Sequence, residues 1–353
     1  MSITIRPEKT TLAAVALRAG VSAPTVSKVV NGREDVSPDT RARVIAALEA
    51  LGYQSPLQRR AAAPGQTVVE VVFDALSSAY AVEILNGVLE YAGTTDVEVV
   101  LSVTSKAAGA PMSPERRAQR MVDAGRGGMI VVTSAFSAAQ LHAFRRRKIP
   151  VAVIDPLNPP PADVVSVGAT NWAGGKAATE HLLQLGHLRI GFLGGPETAE
   201  CNQARLHGYM AALMAKDLTV NPAYIISGSF GSDHGARGLK ELLRLPEPPT
   251  AIFAASDSIA LGVLGEARKN GLRVPEDLSL VGFDGTYQAE ESIPPLTSVA
   301  QPLQEMGRAA LRAVLRQLHG EALDSQRVEL ATHLVVRGSS SEPQPVITHS
   351  SAG

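Results

Sequence analysis

Residues 20–32 read GVSAPTVSKVVNG. The fold turns on why a proline stands beside a helix start here, and why that helix stops at Asn31-Gly32. Ser22 is a good N-cap, because its hydroxyl can accept from an orphan N–H one turn in. Pro24 then falls in the first turn, where its missing N–H costs no hydrogen bond. Val26, Val29 and Val30 recur at helical spacing, and Asn-Gly is a stop signal. The stretch predicts a short helix over 23–30.

Upstream, Thr11 can cap LAAVALRAG (12–20), with Leu12, Val15 and Ala16 on one face and Gly20 just past the end. Two short helices joined through 19–21 make a helix-turn-helix, whose second helix can enter a major groove. Downstream, Ser37 caps a third helix with Pro38 at its first position and Asp39 in its first turn. Val44, Ile45, Leu48 and Leu51 are its expected apolar face, and Gly52 ends it. The plain alternative is a helical hairpin that binds a protein, or nothing. Charge weighs against it. Residues 1–60 hold nine Lys/Arg against five Asp/Glu, a net of +4, whereas the whole chain carries −1 and the remainder therefore −5. A basic head on an acidic body suits phosphate contact.

The 353 residues, 45% hydrophobic and 19% charged, are enough for two or three domains of an ordinary water-soluble kind. A lone cysteine, Cys201, rules out an internal disulfide and fits a reducing compartment. No apolar run approaches the length of a membrane span, and MSITIRPEKT lacks the apolar core of a signal peptide. These readings predict a cytoplasmic protein with no membrane partner.

After YQSPLQRR (53–60) and the helix-breaking Pro64-Gly65, strand and helix patterns alternate. TVVEVVF, VEVVLSV, GGMIVVT, IPVAVID and VVSVGA read as strands. They are followed by RIGFLGG, YIISGS, AIFAAS and LSLVGF, with helices expected over 80–92, 172–185, 202–216, 232–245 and 257–269, and after Ser113 and Ser137. Such alternation implies parallel sheets covered on both sides, and the strands are too many for one compact sheet. The expected fold is α/β with two similar lobes behind an all-α N-terminal headpiece. Ligands of such sheets sit at the carboxyl ends of the strands.

TLAAVALRAGVSAPTVSKVVNG, then VSPDTRARV, then LGY, in this order and register, closely resemble the headpiece of the LacI/GalR (lac repressor) family of bacterial transcription regulators. GHLRIGFLGGP, ARLHGYMAAL, the run from PPTAIFAASDS to LSLVGFDG, PPLTSVAQPLQEMGRAA and VELATHLVVRGSS resemble the same family's effector domain, whose fold is periplasmic-binding-protein-like. The resemblance implies a helix-turn-helix headpiece (1–53), a hinge (54–66), and a two-lobed sugar-binding and dimerisation domain (67–340) with crossings near 165–170, 298–302 and 325–330. A disordered tail (341–353) would follow. It implies a repressor that pairs as a homodimer on near-palindromic operator DNA and answers to a small sugar or oligosaccharide.

Residue by residue, the resemblance assigns Ala23, Pro24 and Lys28 to the major groove and Thr25, Ser27 and Asn31 to phosphates. Thr11 and Ser22, at the caps beside them, are further DNA-contact candidates, and Arg59 and Arg60 suit a narrow minor groove. Three departures stand out: Ala14 where the family often has an acidic residue, Pro56 where it has Asn, and Ala62 at the hinge's lever leucine. Ala23-Pro24 offers methyl contacts but no bidentate base hydrogen bond. The apolar Ala23-Pro24 pair and the missing hinge leucine motivate the competing reading, a cytoplasmic sugar-binding protein of this fold that has lost DNA specificity.

For the effector, the strand-end polar residues Asp155, Asn171, Ser256 and Asp284 are candidates, with Arg205 as a guanidinium fork for adjacent hydroxyls. Arg205 and Asp284 are expected to hold a sugar from different sides of the cleft. Asp257 is read as a helix cap rather than a ligand contact. Trp172 is favoured as a sugar platform, while Tyr80 and Phe230 are balanced between that role and plugging the lobes. Enzymatic readings fail for want of a motif: there is no GxxxxGK[ST], HExxH, GxSxG or helix-opening GxGxxG. His181 and His187 are six apart, which suits no helical metal pair. No catalytic residue, cofactor or metal is expected.

Overall fold

The computed structural model describes residues 12–30, 36–51, 67–103, 113–134 and 137–344. The N-terminal unit contains α1 (Leu12–Ala19), α2 (Ala23–Val30) and α3 (Pro38–Ala50). Helices of eight residues are marginal alone, so packing must hold them. Val15, Val26 and Val44, one from each helix, are fully buried, with Ala16, Ala19, Val29 and Ala47 around them. Gly20, at φ 65°, ends α1 in the left-handed conformation, and the Val21 N–H reaches back to the Ala16 carbonyl at 3.1 Å. Ile45 departs from expectation and is 43% exposed. Val44, Ala47, Leu48 and Leu51 make the buried stripe, because residues spaced i, i+3, i+4 and i+7 share a face and Ile45 lies about 100° off it. Thr11, Asn31, Arg59, Arg60 and the whole expected hinge lie outside the described residues.

The second unit begins with β1 (Thr67–Phe73), α4 (Ala79–Gly93), β2 (Val97–Val103), α5 (Pro114–Asp123), β3 (Arg126–Val132), α6 (Ala138–Arg146), β4 (Val151–Ile154) and β5 (Val165–Ala169). It continues with α7 (Asn171–Gln184), β6 (Ile190–Gly194), α8 (Glu200–Met214), β7 (Ile225–Ser227), α9 (Ser232–Leu242), β8 (Ala251–Ala254) and α10 (Asp257–Lys269). The last elements are β9 (Ser279–Asp284), α11 (Tyr287–Glu291), β10 (Thr297–Ala300), α12 (Leu303–Leu318), β11 (Arg327–Leu330) and β12 (His333–Val335).

Two six-stranded sheets result, ordered β11-β5-β4-β3-β1-β2 and β12-β10-β9-β8-β6-β7. The orders are the same once each strand is matched to its counterpart, so the lobes repeat one pattern and β4 corresponds to β9. All pairings are parallel except β10 with β12. The expected α/β class with two parallel-sheet lobes is what the chain adopts.

The chain passes from the first lobe to the second at Thr170, returns between Ala300 and Leu303, and leaves again at 331–332. The third passage comes later than 325–330, because 327–330 form the edge strand of the first sheet. First and third passages are tied together. The Thr170 N–H donates to the Leu330 carbonyl, and the Thr332 N–H to Thr170 Oγ1, each at 2.9 Å. Residues 341–344, expected in the tail, belong to the described fold, and the Ser341 N–H donates to Ser279 Oγ at 3.0 Å. Residues 345–353 lie outside the described residues.

Candidate functional site

Ser22 caps α2 as expected: its Oγ accepts from the Thr25 N–H at 3.3 Å and lies 2.8 Å from Thr25 Oγ1. With Val26 and Val29 buried, Pro24, Ser27 and Lys28 are left on the outer side of the helix. Ser22, Ala23, Pro24 and Lys28 are exposed, while Thr25 and Ser27 are half-buried. The outer face thus combines small side chains with one cation, a shape that can approach a groove closely.

The second unit holds a cleft of about 650 Å³ at the strand ends, walled by both lobes. From the first lobe come Phe73 at the end of β1 and Asp74 after it, Tyr80 in the first turn of α4, Thr133 after β3 and Asp155 after β4. From the second come Arg205 in α8, Ser229 and Phe230 after β7, Ser256 after β8, and Asp284 at the end of β9. Asp155 and Asp284 occupy equivalent places in the two lobes, and both have positive φ, 42° and 114°. For a residue with a Cβ this is a strained backbone, of the kind that collects at ligand clamps.

Arg205 organises the second lobe's wall. It is 2% exposed. Its Nε donates to Asn171 Oδ1 at 2.8 Å and Nη1 to the Ala255 carbonyl at 2.6 Å, while Asp284 Oδ1 stands 3.7 Å from Nη1. The guanidinium carbon lies 3.8 Å from the centroid of the Phe283 ring and 5.9 Å from that of Phe230, so cation–π contact helps to fix its plane. Asn171 is held in turn by donating Nδ2 to the Ala169 carbonyl at 3.0 Å. Gln301, which the sequence reading missed, donates Nε2 to Asp284 Oδ1 at 2.8 Å. Its own Oε1 is buried without a hydrogen-bond partner among the described residues. Opposite, the Tyr80 hydroxyl donates to Asp155 Oδ2 at 2.7 Å.

Burial decides the protonation behaviour here. It pushes the Asp284 carboxyl well above its usual range, and Arg205 beside it offsets only part of that. Asp155 is raised for the same reason, again against the pull of Arg205. Burial, with Asp155 adjacent, lifts the Tyr80 phenol well above its ordinary value, so it stays a donor at neutral pH. The Cys201 thiol is pushed up to about 12 by burial, which removes any nucleophilic thiolate.

Of the expected ligand residues, Tyr80, Asp155, Arg205, Phe230, Ser256 and Asp284 meet on the cleft wall. Four expectations need correction. Arg205 and Asp284 stand side by side on one lobe rather than across the cleft, because α8 packs on the sheet that ends in Asp284. Asn171 supports Arg205 from behind instead of lining the cleft. Trp172, 48% exposed, lines a smaller cavity of about 270 Å³ that shares only Asp155 and Cys201 with the cleft. The cap of α10 is also not Asp257 but Ser256, whose Oγ accepts from the Ile259 N–H at 3.1 Å and donates to the Phe230 carbonyl at 3.0 Å. Asp257 is buried, and accepts from the Thr286 N–H at 2.7 Å, Thr286 Oγ1 at 2.9 Å and Ser298 Oγ at 2.6 Å. Thr133 could have been found by the strand-end rule that picked out Asp155.

Comparison with known proteins matches residues 11–55 to the profile of bacterial regulatory proteins, lacI family, and residues 179–340 to a periplasmic binding protein-like domain. The transcriptional repressor CytR of Escherichia coli (strain K12) is 32% identical over 339 residues, covering 93% of this chain and 96% of that protein. The transcriptional regulator CelR of Thermobifida fusca is 34% identical over 354 residues, covering 95% and 99%. Among solved structures, a CelR–cellobiose complex superposes with a TM-score of 0.70 at 32% identity, covering 94% of this chain and all of that one. A lac repressor dimer bound to operator and the anti-inducer ONPF gives 0.68 at 26% identity, covering 95% of this chain and all of that one.

Proposed function

The chain belongs to the lacI family of bacterial regulatory proteins, and from that premise we propose that it grips or releases an operator according to a sugar held between its lobes. The DNA half of this reading is supported by the basic N-terminal stretch and by the outer face of α2, where Lys28 is the one cation. Two such headpieces, from a homodimer in the cytoplasm, would address the halves of a near-palindromic site.

The observation that carries the effector half is the cleft itself, with carboxylates, hydroxyls and a positioned guanidinium converging from two lobes. A sugar offers both donors and acceptors, and it needs rigid partners of both kinds. Tyr80 and Phe230 add ring surface for its C–H faces. A ligand touching both walls favours the closed arrangement by its differential contacts. Because three chain passages join the lobes, closure reorients the first lobe, which follows the hinge residues in sequence. That motion sets whether the headpieces can engage DNA together.

The test is a mobility-shift titration on the protein's own upstream DNA with a panel of sugars. A specific shift that one sugar reverses or strengthens is expected. Sugar binding with no shift on any upstream fragment favours instead a sugar-binding protein without DNA specificity.

A further inference from the structure

We propose that the cleft selects an uncharged sugar of more than one ring and rejects phosphorylated or carboxylated counterparts, an inference that rests on reading the cleft as the sugar site. The charged side chains on its wall are Asp74, Asp155, Asp284 and Arg205, and among the described residues neither Lys nor His joins them. Arg205 is already committed to Asn171, the Ala255 carbonyl and the adjacent Asp284. It can still donate to a hydroxyl, but its charge is offset before any ligand arrives.

A phosphate monoester brings roughly −1.5 to −2 charges and wants a surplus of cations. Here it would meet carboxylates. Protonating Asp284 would uncover the Arg205 charge, so rejection of anions should be strongest where Asp155 and Asp284 are ionised. Helix N-termini are the remaining source of positive potential, and their first turns are largely satisfied. Ser78 caps α4 by accepting from the Ala81 N–H at 3.2 Å, and Ser256 caps α10. Helix α9 starts without a side-chain cap but carries Asp233 in its first turn.

What the wall does supply is neutral hydrogen bonding, from Tyr80, Ser229, Ser232 and Ser258 beside the charged groups. Size argues for more than one ring. The cleft holds about 650 Å³. A hexose displaces on the order of six waters, or about 180 Å³ at ~30 Å³ per water. One ring would leave most of the cavity wet and most polar wall groups without a sugar partner.

The experiment is isothermal titration and thermal shift on the full chain. The probes are cellobiose, xylobiose, maltose and lactose, their monosaccharides, glucose 6-phosphate, cellobiose 6′-phosphate and cellobionate. We expect at least one neutral disaccharide to bind, with its monosaccharides and charged derivatives at least about tenfold weaker. An anionic sugar, or a single ring, that binds as tightly as the neutral disaccharide overturns this inference and leaves the sugar reading standing. No binding by any of these probes overturns the sugar reading and the inference with it. In Asp155→Asn, checked for folding by its melting curve, discrimination against cellobionate should narrow. An unchanged ratio in the folded variant means that wall charge does not reject anions.

Discussion

Glu200, the first residue of α8 in the second lobe, ion-pairs with Arg327 on edge strand β11 of the first lobe, across the junction between the two lobes. Both side chains are partly exposed, at 34% and 55%, so the pair is worth about 0–1 kcal/mol. That is too little to change global stability visibly, yet enough to weight two lobe arrangements of similar free energy. Glu200→Gln should therefore leave the melting temperature alone and shift effector Kd by up to about fivefold. A Kd identical to the parent's would show that the pair breaks and reforms without biasing closure.

Arg205 is a structural member as well as a ligand candidate. Removing its guanidinium leaves Asn171 Oδ1 and the Ala255 carbonyl without their donor, and Asp284 without its counter-charge. Arg205→Ala should lose about 3–5 kcal/mol by chemical denaturation, and effector affinity should fall ten- to hundredfold, or about 1–3 kcal/mol. Arg205→Lys should restore charge without the fork, recovering part of the stability and little of the affinity. If Arg205→Ala unfolds with the parent's midpoint and binds effector normally, the assigned geometry is wrong.

Asp257 gives a pH dependence with a definite sign. Burial raises its carboxyl to about 6, against the lowering effect of the Ser298 and Thr286 donors. A raised folded pKa contributes stability that is present below the unfolded value and is lost as pH climbs through the folded one. Relative to Asp257→Asn, the parent should gain stability on going from pH 7 towards pH 4, with the change spread between about pH 6 and pH 4, the folded and unfolded values. Denaturant midpoints of both proteins across that range would show it, and parallel curves would contradict it.

Lys28 is the exposed cation on the outer face of α2. Lys28→Ala should cost about 1–3 kcal/mol of operator affinity and relax preference at one position per half-site. Competition binding against single-base operator variants separates the roles: a uniform loss that disappears at high salt would make Lys28 a phosphate contact.

The headpiece was the most legible part, because caps and i, i+3, i+4 spacing are local and Ser22, Pro24 and Val26 lie within five residues. The strand-end rule likewise located Asp155, Ser256 and Asp284, since β-rich runs announce where they stop. Roles set by distant partners were hidden. Asn171 looks like a ligand residue until Arg205, 34 positions later, is seen to occupy its oxygen. Asp257 and Ser256 are neighbours with equal claims to a cap, and only Thr286 and Ser298, which take up the Asp257 carboxylate, separate them. The place of α12 was legible only through the family resemblance, which put a crossing near 298–302. Its amphipathic pattern says that one face is covered, not that the covering sheet began more than two hundred residues earlier.

That return of α12 has a consequence for how the gene tolerates truncation. Leu303, Met306, Ala310, Leu311 and Val314 are buried in the same core as Val69, Val71 and Ile130 of the first sheet. A chain ended by a stop codon or a protease near Gln301 would therefore keep every strand of the second lobe except β12, and would strip the first lobe of its inner helix and edge strand. Damage at the C-terminal end is thus delivered to the lobe that follows the headpiece in sequence. Neither lobe corresponds to a contiguous fragment that could be cut out and expressed whole.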